Sequence, residues 1–379
     1  MSDDEENTQF GSQTPFAEPS WYNSNNASPY YNEHHVAFRN KMRKFVDEEI
    51  IPFQDDWEEA GEIPGEVYRR AGEVGLIPAM AGFPEEEGQT WPKRPEHFDG
   101  FFTFIAGDEL ARCANGGIFW GLIGGMGIGL PPVLHSDNDE LRERIVGPVI
   151  NGKKRIALAV SEPDAGSDVG GLKTTAKDMG DYYLVNGMKK WITCGTFADY
   201  FSTAVRTGAP DSGMFGLDLL LIERTMPGVS TRAMSCMGVR GSGTAYVEFD
   251  NVKVPKANYI GGITMLLQNF VTERLGLAIQ ANRFARICLS ESVEYIKRRY
   301  AFGKKLEDQP VVRYKVAEMA RMVQVTHAYL ESLAYRIVAV EAAGEDWYES
   351  ILSLGAEAAL AKVQATKTFD KYVQYCTTK

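Results

Sequence analysis

The chain has 379 residues, of which 44% are hydrophobic and 24% are charged, and its formal net charge at pH 7 is −11. This length allows two or three domains around a sizeable core. The acidic balance argues against nucleic acid or an anionic membrane surface as the main partner, because both require a basic surface.

Cysteine and histidine usage gives no sign of a disulfide framework or a metal site. The five cysteines lie far apart without a CxxC pair, and the five histidines form neither HxxxH nor HExxH. We therefore expect reduced thiols and no bound metal. The start, "MSDDEENTQF", is too acidic for a secretory signal or an Arg-rich transit peptide. It predicts an intracellular soluble protein, cytoplasmic or peroxisomal rather than mitochondrial.

The N-terminal part of the chain has a polar start and then a helical pattern. Residues 1–28 are rich in Ser, Asn and Pro, which predicts a disordered or wrapped arm. Residues 29–150 place apolar side chains at mostly helical spacing, as in "EHHVAFRNKMRKF". The uncharged stretch Gly116–Ser136 has about the length of a membrane span, but it is rich in Gly and ends at a Pro-Pro pair. It predicts a small-residue helix buried against a flat ligand or another helix, not a transmembrane segment.

Residues 151–260 change to short apolar or alternating runs separated by Gly and Pro, which indicates strands. The run "YYLVNGMKKWITCG" predicts a β-hairpin with Asn186-Gly187 at its turn. Closely spaced strands without intervening helices predict an antiparallel sheet or barrel. "AVSEPDAGSD" runs from a strand into a tight acidic loop, and its Gly and Ser residues permit close approach of a bound ligand.

Residues 261–379 return to a helical period, and one acid lies on an apolar stripe there. Glu273 falls between Phe270 and Leu277 at helical steps. An apolar interior disfavours the charged form of a carboxylate and raises its pKa toward the range useful for a base. Alternatively, Glu273 lies at the edge of the stripe and pairs with a neighbouring Arg. The basic run "RRYAFGKK" is either a solvated helix end or a phosphate clamp.

Four motifs together resemble one enzyme family. "AVSEPDAGSD", "VNGMKKWITCGTFAD", "GVRGSGTAYVEFDNVKVP" and "RRYAFGKKL" occur in the order and approximate spacing typical of acyl-CoA dehydrogenases. The resemblance extends from about Tyr30 to the end. It implies an α+β multidomain fold with a polar arm (1–28), an N-terminal helical domain (29–150), a middle antiparallel β-domain (151–260) and a C-terminal helical bundle (261–379).

The same resemblance implies FAD as cofactor and a set of site residues. The residues implied to contact FAD are Leu158, Val160, Ser161, Gly166, Ser167, Trp191, Ile192, Thr193, Arg299 and Phe302. Ser167 would be shared with the acyl-CoA, while Arg299 and Phe302 would reach the FAD of a neighbouring subunit in a homodimer or homotetramer. "TERL" is similar to the isovaleryl and long-chain branches of the family, which implies Glu273 as base and Arg274 toward the CoA moiety.

The implied reaction is α,β-desaturation of an acyl-CoA thioester, as in fatty acid β-oxidation, with an electron-transfer flavoprotein or another electron acceptor. A carboxylate and a flavin must then lie on either side of the Cα–Cβ bond. Two alternatives stay open, a flavin oxidase of the same superfamily and a truncated, non-catalytic acyl-CoA or flavin-binding protein. The second rests on the expectation that the family continues beyond "TKTFDKYVQYCTTK", which makes the C-terminal domain incomplete. The family's FAD-contacting Gln falls on Pro310, so that contact is not assigned.

Overall fold

The computed structural model describes residues 10–23, 27–83, 91, 94–343 and 351–377. They form two compact units, each built from separate stretches of the chain. The helical unit comprises the described residues of Met1–Asn40, Asp99–Ala114 and Arg274–Lys379. The sheet unit comprises those of Lys41–Phe98 and Asn115–Glu273.

In chain order the α-helices are α1 (Glu33–Phe45), α2 (Gln54–Ala60), α3 (Gly65–Glu73), α4 (Leu76–Ala81), α5 (Gly100–Leu110), α6 (Gly116–Phe119), α7 (Gly125–Gly129), α8 (Pro131–Leu134), α9 (Asp139–Ile150), α10 (Ile263–Arg298), α11 (Pro310–Ala343) and α12 (Gly355–Thr377). The strands are β1 (Ile156–Ala159), β2 (Thr175–Asp178), β3 (Tyr182–Ile192), β4 (Tyr200–Arg206), β5 (Leu217–Glu223), β6 (Val229–Ala233), β7 (Ala245–Pro255), β8 (Tyr259–Gly262), β9 (Tyr300–Ala301) and β10 (Lys304–Lys305). The predicted order of helices, sheet and helices is confirmed, and the sheet, which was expected to be antiparallel, is mostly so.

The helical unit packs α5, α11, α12 and the later part of α10 around apolar clusters. One cluster includes Phe101, Ala278, Leu330 and Ala361, which are all nearly inaccessible to solvent. Residues 10–23 of the N-terminal arm wrap onto this unit, with Trp21 and Tyr22 buried. Burying apolar faces from several segments is what stabilises helices of this kind.

A cluster of charged side chains ties the arm to two helices of the helical unit. Arg283 of α10 donates from Nη1 to Glu18 of the arm over 2.7 Å, and from Nε to Asp108 of α5 over 3.0 Å. The hydroxyl of Tyr22 lies 2.6 Å from Oε1 of Glu109. Burial works to raise the pKa of Asp108, but the Arg283 guanidinium overcomes it and holds that pKa below its usual value.

The sheet unit holds an eight-stranded sheet whose strand order is β6-β7-β3-β2-β4-β5-β8, with β1 paired to β4. The β1–β4 and β2–β4 pairs are parallel and the other pairs of this sheet are antiparallel. Along β7, buried and exposed residues alternate over much of the strand, as expected for a sheet with one face against a core. Phe201, Leu220 and Val247 are fully buried in that core.

The predicted hairpin turn at Asn186-Gly187 is wrong. Both residues lie inside β3, which continues to Ile192, and Asn186 pairs with Thr175 of β2. The register of β3 on β7 shifts between Val185 and Gly187, and Gly187 has a φ of 151°. A Cβ there would lie 2.5 Å from Oγ1 of Thr174, so glycine serves a bulge with close backbone approach instead of a turn.

The small-residue segment folds as α6, α7 and α8, with a π-helical segment between α6 and α7. A Cβ at Gly129 would lie 2.9 Å from the carbonyl carbon of Ala157, so glycine lets α7 approach the backbone of β1 closely. The stretch Gly116–Leu134 is long and apolar enough to cross a membrane by length and composition alone. Of its most apolar part 78% is buried inside the protein, and buried core helices pass the same test.

Candidate active site

A cavity of about 440 Å³ lies within the sheet unit. It is lined by Ile128, Leu158, Val160, Ser161, Gly166, Ser167, Val169, Trp191, Ile192, Thr193, Phe270 and Glu273. The lining combines apolar side chains, three hydroxyls, one indole and one carboxylate. Pockets for small molecules and cofactors are mostly apolar with a few well-placed polar groups.

The first wall is the end of β1 and the acidic loop that follows it. Leu158 is on β1, while Ser161, Gly166 and Ser167 are on the loop. The Glu162 N–H donates to the Ala165 carbonyl over 2.8 Å, which makes this loop a tight turn. A Cβ added at Gly166 would meet no protein atom within 4 Å, so packing within the protein does not demand glycine there.

The second wall is the end of β3, where a bulge redirects the chain. Lys189 pairs with Val247, and Ile192 pairs with Ala245, so β3 carries one extra residue here. Trp191 lies in the bulge with a φ of 66°, a left-handed conformation that is uncommon for a bulky residue. Its side chain is 55% exposed. Backbone strain of this kind is often found at ligand sites, which makes Trp191 a candidate contact residue.

The third wall comes from the start of α10 and from α7. Phe270 precedes Glu273 by about one helical turn, so both side chains lie on the same face of α10. The side-chain amide of Asn269 donates from Nδ2 to the Ile128 carbonyl over 2.8 Å. This hydrogen bond joins the helix that carries Glu273 to the residue of α7 that also lines the cavity.

The first two walls are joined behind the lining by a buried ion pair. Lys189 Nζ lies 2.8 Å from Oε1 of Glu162 and donates to the Val160 carbonyl over 3.0 Å. The backbone N–H groups of Lys173 and Thr174 donate to the same carboxylate over 2.6 and 3.0 Å. Burial lowers the pKa of Lys189 to about 8, although the Glu162 carboxylate works against that shift.

Most residues singled out in the sequence converge on this cavity. It brings together Leu158, Val160, Ser161, Gly166, Ser167, Trp191, Ile192, Thr193 and Glu273. Arg274, Arg299 and Phe302 belong to the helical unit, and their roles stay predictions. Arg299 follows the end of α10, and Phe302 is 96% exposed in the turn between β9 and β10, with a φ of 52°.

Sequence reasoning did not assign Ile128, Val169 or Phe270 to the site. Phe270 could have been found, since it lies on the apolar stripe with Glu273. Ile128 lies in the small-residue segment, which the sequence predicts to be buried against a flat ligand or another helix. Within residues that the structure describes, no group of three or more His, Cys, Asp or Glu side chains could hold a metal ion.

Three family models match the chain in succession. They are the acyl-CoA dehydrogenase N-terminal domain at residues 32–153, the middle domain at 157–252 and the C-terminal domain at 261–377. The structure is also similar to that of an acyl-CoA dehydrogenase from Geobacillus kaustophilus, with a TM-score of 0.80 and 28% identity, covering 92% of this chain and 88% of that chain.

Curated relatives agree with these matches. Acyl-CoA dehydrogenase AFT10-1 of Alternaria alternata is 36% identical over 375 residues, which are 96% of this chain and 85% of the relative. Subunit CarC of the caffeyl-CoA reductase-Etf complex of Acetobacterium woodii is 31% identical over 306 residues, 78% of this chain and 77% of the relative. This chain therefore belongs to the acyl-CoA dehydrogenase family, whose members are FAD-dependent oxidoreductases acting on CH–CH bonds.

Proposed function

We propose that the chain catalyses α,β-desaturation of an acyl-CoA thioester in the cavity described above, with Glu273 as the base. The observation that supports this most directly is the position of the Glu273 carboxylate. It lies in the wall of a cavity that combines apolar side chains with hydroxyls, together with the motifs that the family resemblance assigns to the cofactor. A carboxylate that can accept the α-proton and a cofactor that can accept a hydride are the two parts this reaction needs.

The lining fits the ring system of FAD. The two motif walls offer apolar surface from Leu158, Val160 and Ile192, and hydroxyls from Ser161 and Thr193 for a polar ring edge. The half-exposed indole of Trp191 offers a flat aromatic surface at the same place. The open space beside Gly166 leaves room for a ligand. Leu158, Val160, Ser161, Gly166, Ser167, Trp191, Ile192 and Thr193 would hold the ring.

When bound, FAD supplies the acceptor for the hydride that leaves the substrate Cβ. The protein must remove the α-proton, and we assign this step to the Glu273 carboxylate. The Cα–H bond breaks, its proton passes to Glu273, and its electron pair enters the new Cα–Cβ double bond. The cavity wall that holds this carboxylate also contains the apolar side chains of Phe270 and Ile128. The hydrogen bond from Asn269 to the Ile128 carbonyl joins α10, the helix that carries Glu273, to α7.

The contacts beyond the cavity are proposed from the family resemblance. Ser167 would contact both cofactor and acyl-CoA, and Arg274 would bind the CoA moiety. Arg299 and Phe302 would reach the FAD of a second subunit. The exposure of Phe302 supports this, since a large aromatic side chain presented by a tight turn offers apolar surface to a partner. The number of subunits and the cellular compartment stay predictions.

The function is tested by the variant Glu273→Gln. We expect anaerobic flavin reduction by an acyl-CoA substrate to slow by at least ~10³-fold, because a positioned general base contributes on this scale. FAD binding should be retained, since the amide has nearly the same shape. Glu294→Gln is the matched control, because Glu294 is an exposed acid on the same helix. Rapid reduction in Glu273→Gln would remove this residue from the mechanism.

We further propose that an electron-transfer flavoprotein accepts the electrons, as the name of the Acetobacterium relative indicates for its own complex. The test uses enzyme reduced anaerobically with acyl-CoAs of several lengths and branchings. We expect slow reoxidation in air and fast reoxidation by an electron-transfer flavoprotein. Fast reoxidation by oxygen alone would contradict a dehydrogenase and indicate an oxidase. Absence of reduction by every acyl-CoA would contradict the proposed reaction.

A further inference from the structure

The ion pair between Lys189 and Glu162 is almost completely removed from solvent. The side chains are 0% and 4% exposed, respectively. Neither residue lines the cavity. Each is next to a cavity wall in the chain: Glu162 directly follows Ser161, and Lys189 precedes Trp191 by two residues.

The pair connects the two motif walls at several atoms. The Lys189 ammonium contacts both the Val160 carbonyl, whose residue lines the cavity, and the Glu162 carboxylate. The Lys190 N–H donates to the Ser161 carbonyl over 2.8 Å, so backbone and side chain join the same two segments. The ammonium therefore links the two segments from which the two walls are built.

The ion pair is poorly explained as a means of stabilising the fold alone. Removing two charges from water is costly, and well-packed apolar residues often stabilise a protein as well as a buried ion pair does. A second ion pair of the same loop, between Lys173 Nζ and Asp164 Oδ2 at 3.0 Å, is 73% and 71% exposed. The loop thus carries one solvated pair and one buried pair, and the buried one lies beside the cavity.

Burial lowers the pKa of Lys189 to about 8, whereas the surroundings of Glu162 favour its charged form. Burial works to raise the pKa of Glu162, but the Lys189 ammonium and the hydrogen bonds from Lys173 and Thr174 hold it below its usual value. The Lys189 ammonium can therefore donate simultaneously to a carboxylate and to a backbone carbonyl. Charge-assisted hydrogen bonds of this kind are shorter and stronger than neutral ones.

We propose that Lys189 and Glu162 are positioning residues that set the separation of the two motif walls and thereby the fit of the flavin ring between them. The inference rests on the proposed function in placing FAD in this cavity. It predicts that removing the pair changes the affinity for FAD and the environment of the bound flavin more than it changes the stability of the protein without FAD.

The test uses the double variant K189M/E162Q, which removes both charges while the amide oxygen at position 162 can still accept from one of the two loop N–H groups. We expect its Kd for FAD to rise at least 10-fold and the visible circular dichroism of the bound flavin to change. Urea unfolding of the FAD-free double variant should show only a modest loss of stability, caused by the one loop N–H from which the amide cannot accept. The single variant K189M should unfold more readily than the double variant, because it leaves the Glu162 carboxylate buried without its cation.

E162D is a second variant, which keeps both charges and shortens the side chain at position 162 by one methylene. We expect its FAD-free form to keep more stability than K189M, because both charges remain, and its Kd for FAD to rise about threefold or more, the scale of a disturbed but retained hydrogen bond. The matched control is K173M, which removes an exposed lysine of the same loop and should leave both measurements unchanged.

An unchanged Kd and an unchanged flavin spectrum in both K189M/E162Q and E162D would overturn the proposal. If the double variant does not fold, E162D alone decides between the two outcomes. Failure of the proposed function would look different. In that case Glu273→Gln would still allow rapid flavin reduction, or no acyl-CoA would reduce the wild-type flavin, while the comparison of Kd values for FAD would remain valid.

Discussion

The sheet unit and the helical unit both bury charged side chains, but they use them differently. In the sheet unit one pair, Lys189 with Glu162, joins two segments that are 27 positions apart in the chain and border a cavity. In the helical unit Arg283 joins Asp108 and Glu18, which precede it by 175 and 265 positions. The first arrangement adjusts the shape of a site, whereas the second holds distant segments of a fold together.

This difference predicts different readouts for variants in the two units. Changes to the Lys189 pair should appear mainly in flavin binding, as proposed above. Changes to the Arg283 cluster should appear mainly in the free energy of unfolding. The three predictions below test this separation, beginning with the largest expected effect.

We expect Asp108→Asn to lower the free energy of unfolding by about 1.5–3 kcal/mol, the scale of a lost hydrogen bond to a charged group, because Arg283 keeps Glu18 as its second acidic partner. The side chains of Arg283 and Asp108 are 3% and 4% exposed, so water cannot replace the lost carboxylate. The measurement is urea unfolding of the FAD-free protein. Arg321→Gln, which removes an exposed ion pair with Glu318 on α11, should change it little. An Asp108→Asn protein as stable as wild type would contradict the comparison.

The second prediction concerns the space beside Gly166. Gly166→Leu should fill part of the cavity, because no protein atom lies within 4 Å of the position of its Cβ. We expect the Kd for FAD to rise about 10- to 100-fold, the effect of roughly 1.4–2.7 kcal/mol on binding. Gly276→Leu is the control, since Gly276 also has open space around it but lies outside the cavity lining. If Gly166→Leu bound FAD as tightly as wild type does, the result would contradict FAD binding in this cavity.

The third prediction is a pH dependence of the helical unit. His327 is 5% exposed, and burial lowers its pKa although Glu331, 3.2 Å away, works in the opposite direction. As pH falls below about 6.5, the unfolded chain binds a proton that the folded protein does not. Stability should therefore fall, by at most about 1.4 kcal/mol per pH unit from this group.

Urea unfolding at about pH 7.5 and about pH 5.5 measures this loss of stability, since the two pH values lie on either side of the ordinary histidine pKa. His327→Gln should lose less stability than wild type over this interval. His34→Gln, at an exposed histidine of α1, is the control and should behave like wild type. The same loss in His327→Gln as in wild type would show that other groups carry the dependence.

Sequence reasoning found the features that depend on local periodicity. The apolar repeat of α10 placed Phe270 and Glu273 on one face, and the short apolar runs predicted β5 and β7. It failed at Gly187, because an Asn-Gly pair has the same sequence signal in a hairpin turn and in a bulge. Which of the two forms depends on Thr174, a residue of a different segment.

The site was predictable where the family motifs supplied it and not where contacts are long-range. Glu162 and Lys189 stand inside two of the quoted motifs, yet no spacing rule pairs an acid with a lysine 27 positions away. The same holds for the hydrogen bond from Asn269 to the Ile128 carbonyl, which spans 141 positions. Pattern indicates that a residue is buried or polar, but the fold determines its partner.

The division of the chain between the two units has a consequence for the order of folding during synthesis. All residues of the sheet unit have left the ribosome before Arg274 does, so this unit can form its sheet and core while translation continues. The helical unit cannot do so. Glu18 and Asp108 are synthesised before their partner Arg283. Both acidic side chains therefore remain in water until Arg283 has been synthesised. We therefore expect nascent chains released before Arg283 to hold a folded sheet unit with an unfolded, chaperone-accessible N-terminal arm.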